Sequence, residues 1–346
     1  MALPRYAQVS LSETPWYHIV SRCVRRAFLC GVDQITGQSY EHRRDWIEQR
    51  ILQLAGVFTI DIASYAIMHN HYHIVLRVDT ERVARLSTEE VITRWSQLYR
   101  GPLIIRRYLS DQREQMSQGE LLQVDKLADG YRQRLCDLSW FMKNLNEHIS
   151  RRANAEENVK GHFWESRYKC QALLDEPALL AAMAYVDLNP VRAAMSDTPE
   201  TSDHTAIKRR VEESQNPTQT HRNAISTSSD PDILPLLETP LLPFDPTETF
   251  TAGIPFSFTD YLELVDTVGR AVHPQKRGFI PDAAPAILAR LGISTEAFIL
   301  NADQFLRRFG AAVGHPSKLI DLAAARNVRY LRGMAKSKAL FAAAAA

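Results

Sequence analysis

The chain has 346 residues, which is long enough for one domain with a large appendage or for two domains. Hydrophobic residues make up 45% of it and charged residues 23%, a globular composition that excludes wholesale disorder. A net charge of +1 gives no general attraction to an acidic partner, and no apolar run approaches the ~20 residues that span a bilayer.

The first part of the chain alternates between strand and helix patterns. Aromatic and β-branched runs predict strands, and apolar residues at helical spacing predict helices. In chain order we predict a strand at 16–24, a helix at 42–56, strands at 58–68 and 73–78, a helical stretch at 80–152, a strand at 161–174 and a helix at 175–191. This order predicts an α+β fold, an antiparallel sheet with helices on one face in a ferredoxin-like arrangement.

Charge and composition change twice further along the chain. Residues 196–250 carry 4 Lys or Arg against 10 Asp or Glu and are rich in Ser, Thr and Pro, whereas residues 251–346 carry 12 against 7. We therefore predict a first domain over 1–195 and a partly disordered linker over 196–250, with 234–244 extended across a flanking domain. Residues 251–346 are predicted to form an all-α C-terminal domain, with helices at 260–272, 283–292, 295–311 and 316–333.

A pair of histidines follows the predicted hairpin turn. His71 and His73 stand two residues apart in a strand, so both imidazoles point to one face. Two neutral imidazoles placed in this way can hold a divalent metal ion, with carboxylate, amide or water as further ligands. Paired histidines on a strand are also common as ordinary core or surface residues. His69 adds a third imidazole, which need not converge with the other two.

A tyrosine and an amide share one face of the last helix of the first domain. Tyr185 and Asn189 are four residues apart, so they lie together on that helix. A tyrosine in such an apolar helix can equally be a packed core residue. Together with a histidine pair on a strand, it supplies what a metal-assisted tyrosine nucleophile needs, because the metal polarises a phosphodiester oxygen and the phenol attacks phosphorus.

Four segments of the chain resemble the HUH single-tyrosine transposases, and in particular the REP-associated tyrosine transposases of bacteria. In the family's order the matching segments are YHIVSRCVRRAFL (17–29), YAIMHNHYHIVLRV (65–78), GHFWESRYKCQALLDE (161–176) and YVDLNPVRA (185–193). Two positions depart from the family pattern, which normally has Pro at the position of His69 and an aliphatic residue at that of Tyr72. The histidine motif alone is common, whereas four segments in one order are specific.

This resemblance implies a function and a set of site residues. Tyr185 would be the nucleophile, and His71, His73 and Asn189 would hold Mg²⁺ or Mn²⁺. Members of the family cut and rejoin single-stranded DNA beside hairpins formed by repetitive extragenic palindromes (REP). The expected activity is therefore that of a DNA endonuclease and strand transferase in recombination and transposition, with a covalent 5′-phosphotyrosine intermediate. One tyrosine per chain can hold only one DNA end at a time. Full strand exchange would therefore need a second subunit, as in a homodimer, or sequential steps.

Basic residues around the predicted site are candidates for phosphate contacts. They are Arg22, Arg25, Arg26, Arg151, Arg152, Arg167 and Lys169. Trp164 and Tyr168 would suit stacking on unpaired bases, although short basic clusters are most often solvated surface. Tyr168 is the rival nucleophile, but its predicted strand position and the lack of an amide four residues later favour Tyr185. The excess positive charge of residues 251–346 makes that region a candidate for DNA binding or assembly.

Two other function classes stay open. One is a catalytically silent, sequence-specific DNA-binding regulator on the same fold, and the other is an unrelated metal-binding or structural α+β protein. The full set of His71, His73, Tyr185 and Asn189 favours the enzyme, because a protein that only binds DNA does not need all four. The segment order favours both DNA-related classes over the third.

The location follows from features that are missing. The N-terminus lacks the apolar core of a signal peptide. The four cysteines form no CxxC pair, so we interpret them as free thiols, which suit a reducing compartment. With the family resemblance, we expect a protein of the bacterial cytoplasm that is associated with the nucleoid and has no membrane partner.

Overall fold

Five strands form one sheet in the part of the chain that the computed structural model describes, namely residues 8–24, 29–33, 35–215, 236–272, 294, 296–297 and 305–341. The strands are β1 Trp16–Arg22, β2 Ile60–Ile67, β3 His71–Val78, β4 Lys169–Leu173 and β5 Ala312–Val313. Their spatial order is β2-β3-β1-β4-β5, and every neighbouring pair is antiparallel except β4 and β5. The predicted α+β class is confirmed, with one parallel strand added at the edge.

Helices fill most of the remaining described chain. They are α1 Arg43–Val57, α2 Thr80–Arg85, α3 Thr88–Ser96, α4 Leu103–Tyr108, α5 Gln118–Leu135, α6 Leu138–Glu156, α7 Glu176–Asp187, α8 Asn189–Arg192, α9 Ala206–Gln215, α10 Phe258–Val272, α11 Phe305–Phe309, α12 Pro316–Ala325 and α13 Met334–Leu340. Helices α2 to α6 account for the stretch 80–152 that the sequence predicts as helical. Within the described ranges, no helix has both the length and the apolar character needed to cross a membrane.

The helices pack on both faces of the sheet, whereas the sequence predicts them on one. Along β3, Tyr72, Ile74 and Leu76 belong to a core cluster shared with α1, α5 and α6. Val75 belongs to a second cluster, which contains residues of α7 and α10. Successive side chains of a strand point to opposite faces, so the clusters lie on opposite sides of the sheet. The strands are apolar on both faces, and such a sheet must be covered twice.

Helix α7 covers the second face. Asp175 caps it by accepting a hydrogen bond from the backbone N–H of Ala178 at 2.9 Å. All residues in the range Ala178–Asp187 are buried. The sequence predicts one continuous helix here, but α7 ends before Leu188 and α8 follows it. The break reflects Pro190, which has no N–H to continue the hydrogen-bond ladder.

The predicted linker has defined structure in its two described parts. Helix α9 places Arg210 so that its guanidinium donates to the carbonyl of Leu242 at 2.8 Å. Residues 236–243 form neither helix nor strand, and the N–H of Leu242 donates to the carbonyl of Ile62 in β2. This hydrogen bond places Leu242 against the sheet of the first 195 residues, and the extended course of 234–244 stays a prediction. Residues 216–235 lie outside the described part of the chain.

The C-terminal region is helical, as predicted, but it is not all-α. Helix α10 matches the prediction for 260–272, while the predicted helix at 283–292 and most of that at 295–311 lie outside the described residues. After α11 the chain turns at Gly310, whose φ of +80° favours glycine, and β5 then pairs with β4. A two-residue strand has no periodicity, so the sequence does not reveal it.

A buried carboxylate couples α7 to α10. Asp187 accepts a hydrogen bond from the Ser64 hydroxyl at 2.9 Å and another from the Tyr261 hydroxyl of α10. Burial raises the pKa of Asp187 to about 6, and the hydrogen bonds and the charge of Arg210 oppose that rise. The C-terminal region is therefore tied to the first 195 residues through a buried polar group.

Tyr261→Phe is expected to destabilise the first 195 residues together with the C-terminal region. The substitution removes a hydrogen bond to a buried carboxyl group, which costs about 1–3 kcal/mol. The five tryptophans lie between Trp16 and Trp164, so their fluorescence during urea unfolding reports on the first region alone. Tyr330→Phe, at a residue that is 76% exposed, is the matched control. An unchanged free energy of unfolding in Tyr261→Phe would mean that the two regions unfold independently.

Candidate metal and nucleophile site

The histidine pair lies on the sheet face that α7 covers. His71 begins β3, and the ring centroids of His71 and His73 are 4.9 Å apart. In the register between β1 and β3, His71 stands opposite Arg22 and His73 opposite Val20. His73 is buried, whereas His71 is partly exposed. The structure thus brings the two predicted ligands together on one face, with His71 at its more open side.

Both imidazoles are uncharged at neutral pH. Burial lowers the pKa of His71 to about 3, with further lowering by the positive charges of Arg22 and Lys169 and by His69. Burial also lowers the pKa of His73 well below its ordinary value. A neutral imidazole has the lone pair that a divalent metal ion requires of a histidine ligand.

Asn70 fixes the position of the proton on His71. Its Oδ1 accepts a hydrogen bond from the Arg22 guanidinium at 3.2 Å and lies 2.6 Å from Nδ1 of His71. A guanidinium only donates, so the Asn70 atom at this point is the oxygen and His71 Nδ1 carries the proton. The lone pair of His71 therefore lies on Nε2.

A third histidine, which sequence reasoning missed, contacts this pair. His18 of β1 places its Nε2 3.0 Å from Nδ1 of His73, and the two rings are nearly parallel. Its own Nδ1 lies 3.4 Å from Oε1 of Gln171 in β4. His18 is fully buried, which lowers its pKa to about 4, so this ring is neutral as well. The available signal was a histidine in the middle of the otherwise apolar strand WYHIV.

Tyr185 lies among several rings next to the histidines. Its ring centroid is 5.5 Å from that of His73 and 5.7 Å from that of His18, both in edge-on geometry. Phe305 of α11 stacks on the tyrosine at 5.5 Å, and the Arg192 guanidinium is 4.8 Å from the ring centroid. The Tyr185 side chain is 9% exposed. The structure brings the predicted nucleophile into contact with His73, one of the predicted ligands, and adds Phe305, which no sequence pattern indicates.

Asn189 opens α8, directly after the helix that carries Tyr185. It is buried, and its Nδ2 has no hydrogen-bond partner among the described residues. Nε2 of His73 is also buried and without a partner there. Buried polar atoms usually have partners, and the exceptions among the described residues include one atom of His73 and one of Asn189. The amide nitrogen of Asn189 only donates, so a cation would take its Oδ1 instead.

The donor set of the site fits a divalent cation. Two imidazoles and an amide suit Mn²⁺ better than Mg²⁺, because Mg²⁺ prefers shells made of oxygen. Nε2 of His73, buried and without a hydrogen-bond partner in the described part of the chain, agrees with such a role. The residues present therefore fit the metal that the family resemblance implies.

Only part of the predicted DNA-binding set lies near this site. Arg22 and Lys169 are exposed, and both act electrostatically on His71. Arg167 is exposed and lines a cleft of about 800 Å³ together with Trp164 and residues of α6. This cleft lies on the α6 side of the sheet, away from Tyr185.

The other predicted DNA contacts have different surroundings. Arg151 forms an ion pair with Glu147 on α6, and the Arg152 guanidinium lies 3.7 Å from the centroid of the Trp46 ring. Arg25 and Arg26 lie outside the described residues. The rival nucleophile, Tyr168, is 9% exposed on the α6 side of the sheet, with its hydroxyl 3.3 Å from that of Ser139.

A second cluster of ligand-type side chains lies apart from the histidine pair. Ligand atoms of Asp45, Glu48 and His204 all lie within 4.8 Å of one another. Nδ1 of His204 is 2.8 Å from Oε2 of Glu48, and the Tyr65 hydroxyl donates to Glu48 as well, so these groups are already partnered. His69 lines the cleft of about 630 Å³ that includes Asp45 and His204, and thus belongs with this cluster.

Comparisons with known proteins give a distant structural likeness. No protein-family model and no curated protein matches the chain. Among solved structures, the chain is similar to a REP-associated tyrosine transposase bound to a REP hairpin, with 10% identity and a TM-score of 0.36 over 66% of this chain and 96% of that one. At these values the likeness does not establish the family or the activity of this chain.

His73→Ala is expected to weaken Mn²⁺ binding beyond the roughly 10–100-fold loss that is typical of a change outside the ligand set. The reason is that it removes a buried imidazole whose Nε2 is unpartnered among the described residues. Isothermal titration calorimetry of the metal-free protein gives the dissociation constant. His204→Ala, which removes an imidazole from the second cluster, is the matched control. If His204→Ala loses Mn²⁺ binding and His73→Ala retains it, the metal site is the cluster of Asp45, Glu48 and His204 instead.

Proposed function

We propose that this chain is a metal-dependent single-stranded DNA endonuclease and strand transferase, a transposase that acts beside palindromic, REP-like hairpins. The single observation that carries the proposal is the position of Tyr185, whose ring centroid lies 5.5 Å from that of His73, a buried histidine whose Nε2 has no hydrogen-bond partner among the described residues. A nucleophile and a metal ligand from separate elements meet on one sheet face. The resemblance of four sequence segments to the HUH transposases supplies the substrate class.

Tyr185 is the proposed nucleophile. Its phenol oxygen attacks the phosphorus of a phosphodiester and gives up its proton, and the 3′ oxygen leaves and takes up a proton. The products are a 5′-phosphotyrosine on the protein and a free 3′ hydroxyl on the DNA. Attack by a 3′ hydroxyl on the phosphotyrosine reverses the step and rejoins the strand.

His71, His73 and Asn189 are the proposed ligands of Mg²⁺ or Mn²⁺. The bound ion would polarise the phosphate oxygens and stabilise the charge that develops there. The two histidines contribute neutral nitrogens, because burial lowers the pKa of each. The rings around Tyr185 hold the phenol in place and limit the access of water to it.

A catalytically silent DNA-binding regulator is the second candidate. The observation that favours it is the cover over Tyr185, which is 9% exposed and stacked on Phe305. For cutting, a phosphate must reach the phenol oxygen, so the segment that carries Phe305 would have to yield to DNA. A regulator needs no such opening.

The proposal also covers partners and location. The partner is single-stranded DNA with a hairpin, which places the protein at the bacterial nucleoid in the cytoplasm. A homodimer would supply the second tyrosine for complete strand exchange. The C-terminal region would serve DNA binding or assembly in addition to its structural role.

Tyr185→Phe is expected to abolish a covalent protein–DNA adduct, because it removes the attacking oxygen and leaves the ring contacts intact. The substrate is a hairpin-bearing oligonucleotide labelled at its 3′ end, since the 5′ phosphate of the downstream fragment would join the protein. Adduct formation with Mn²⁺ or Mg²⁺, and its loss with a chelator, is followed on denaturing gels. Tyr168→Phe is the matched control and should keep the adduct. An adduct that persists in Tyr185→Phe would assign the nucleophile elsewhere, and no adduct in the wild type would favour the regulator.

Replacing Arg22 and Lys169 together by Ala is expected to weaken binding of single-stranded DNA by about tenfold at low salt. Two lost phosphate contacts should reduce the slope of log affinity against log salt by about 1.4. Fluorescence anisotropy without metal measures both quantities. Arg85→Ala, at an exposed arginine paired with Glu81, is the control. An unchanged salt dependence in the double variant would remove this surface from the DNA path.

A further inference from the structure

A chain of side-chain contacts runs from the histidine pair to the C-terminal region. Nδ1 of His73 is 3.0 Å from Nε2 of His18, and Nδ1 of His18 is 3.4 Å from Oε1 of Gln171. At its far end, Nε2 of Gln171 donates to the backbone carbonyl of Gly310 at 2.6 Å. These three bonds link β3, β1 and β4 to the turn before β5.

The carbonyl of Gly310 determines the direction of every bond in this chain. A carbonyl only accepts, so the Gln171 atom that faces it is the NH₂ group and the atom that faces His18 is the oxygen. That oxygen needs a donor, so His18 carries its proton on Nδ1 and has its lone pair on Nε2. His73 must then donate from Nδ1, which leaves the lone pair of His73 on Nε2.

The Nε2 atom of His73 is also the one that is buried without a partner in the described structure. The contact chain thus directs the lone pair of His73 to the ring nitrogen that has no hydrogen-bond partner within the described ranges. His71 reaches the same arrangement by a different route, since Asn70 accepts from its Nδ1. Both imidazoles therefore present Nε2.

We infer that His18 and Gln171 are positioning residues that hold His73 in the tautomer with the proton on Nδ1, so that its Nε2 is available to a metal ion. The role assigned to the metal rests on the proposed function, whereas the tautomer itself does not. Partners that fix the orientation and tautomer of a metal-binding histidine typically contribute 10–100-fold to metal affinity.

The first test is direct and needs no variant. Long-range ¹H–¹⁵N correlation spectra of the ¹⁵N-labelled, metal-free protein at neutral pH separate protonated from unprotonated ring nitrogens. We expect protonated Nδ1 and unprotonated Nε2 for His18 and His73 alike. A His73 ring protonated on Nε2 would overturn the inference, whatever the protein does to DNA.

The second test separates positioning from packing. His18→Leu fills a similar volume but cannot accept a hydrogen bond, so we expect Mn²⁺ affinity to fall roughly 10–100-fold and His73 to populate the other tautomer. His18→Gln retains an acceptor and should recover most of the affinity. Ser21→Ala is the control, because Ser21 is a buried polar residue of the same strand that contacts Asn146 on the opposite face.

The outcomes distinguish this inference from the proposed function. Equal Mn²⁺ affinity in His18→Leu and the wild type, with a folded variant by circular dichroism, would overturn the positioning role. If His18→Leu does not fold, two other variants still test the inference. His18→Gln must keep the wild-type tautomer of His73, and Gln171→Leu must give a mixture of the two His73 tautomers. Absence of DNA cleavage, with the tautomers as expected, would count against the proposed function alone.

Discussion

The burial of uncharged imidazoles beneath α7 is the constraint that shapes the second face of the sheet. His18 and His73 lie among apolar side chains, where a protonated ring would be costly. Each ring must therefore be neutral and each nitrogen needs a partner or a ligand. The hydrogen bonds to Gln171 and between the rings satisfy all but Nε2 of His73 among the described residues. Helix α7, which carries Tyr185, packs over this face, and the Tyr185 ring lies edge-on to that of His73.

Local sequence spacing was enough to predict that the His71 and His73 rings lie together. The i, i+2 spacing of His71 and His73 depends only on strand geometry. The i, i+4 spacing of Tyr185 and Asn189 assumes one continuous helix, whereas α7 ends before Leu188 and Asn189 opens α8. The structure brings the histidines and the tyrosine together by ring contacts. The resemblance to a transposase family, and not spacing, supplied their assigned roles.

The remaining features depend on contacts between residues that are far apart in the chain. His18 pairs with His73 across 55 positions, and Gln171 reaches Gly310 across 139. No pattern within one element encodes such pairs. The same limit explains why the sequence predicted helices on one face and an all-α C-terminal domain. The strands were recognisable as apolar, but what covered each face depended on the tertiary arrangement.

The segment before the edge strand, with Phe305 and Gly310, also affects the order in which the protein folds during synthesis. Residues near the N-terminus leave the ribosome first, and domains begin to fold as they emerge. Gly310 and Phe305 are translated long after the sheet strands and the helix that they contact. A nascent chain can therefore assemble most of its core while Gln171 still lacks its carbonyl acceptor and Tyr185 its stacked ring. Completion of this face waits until residues 305–310 have left the ribosome.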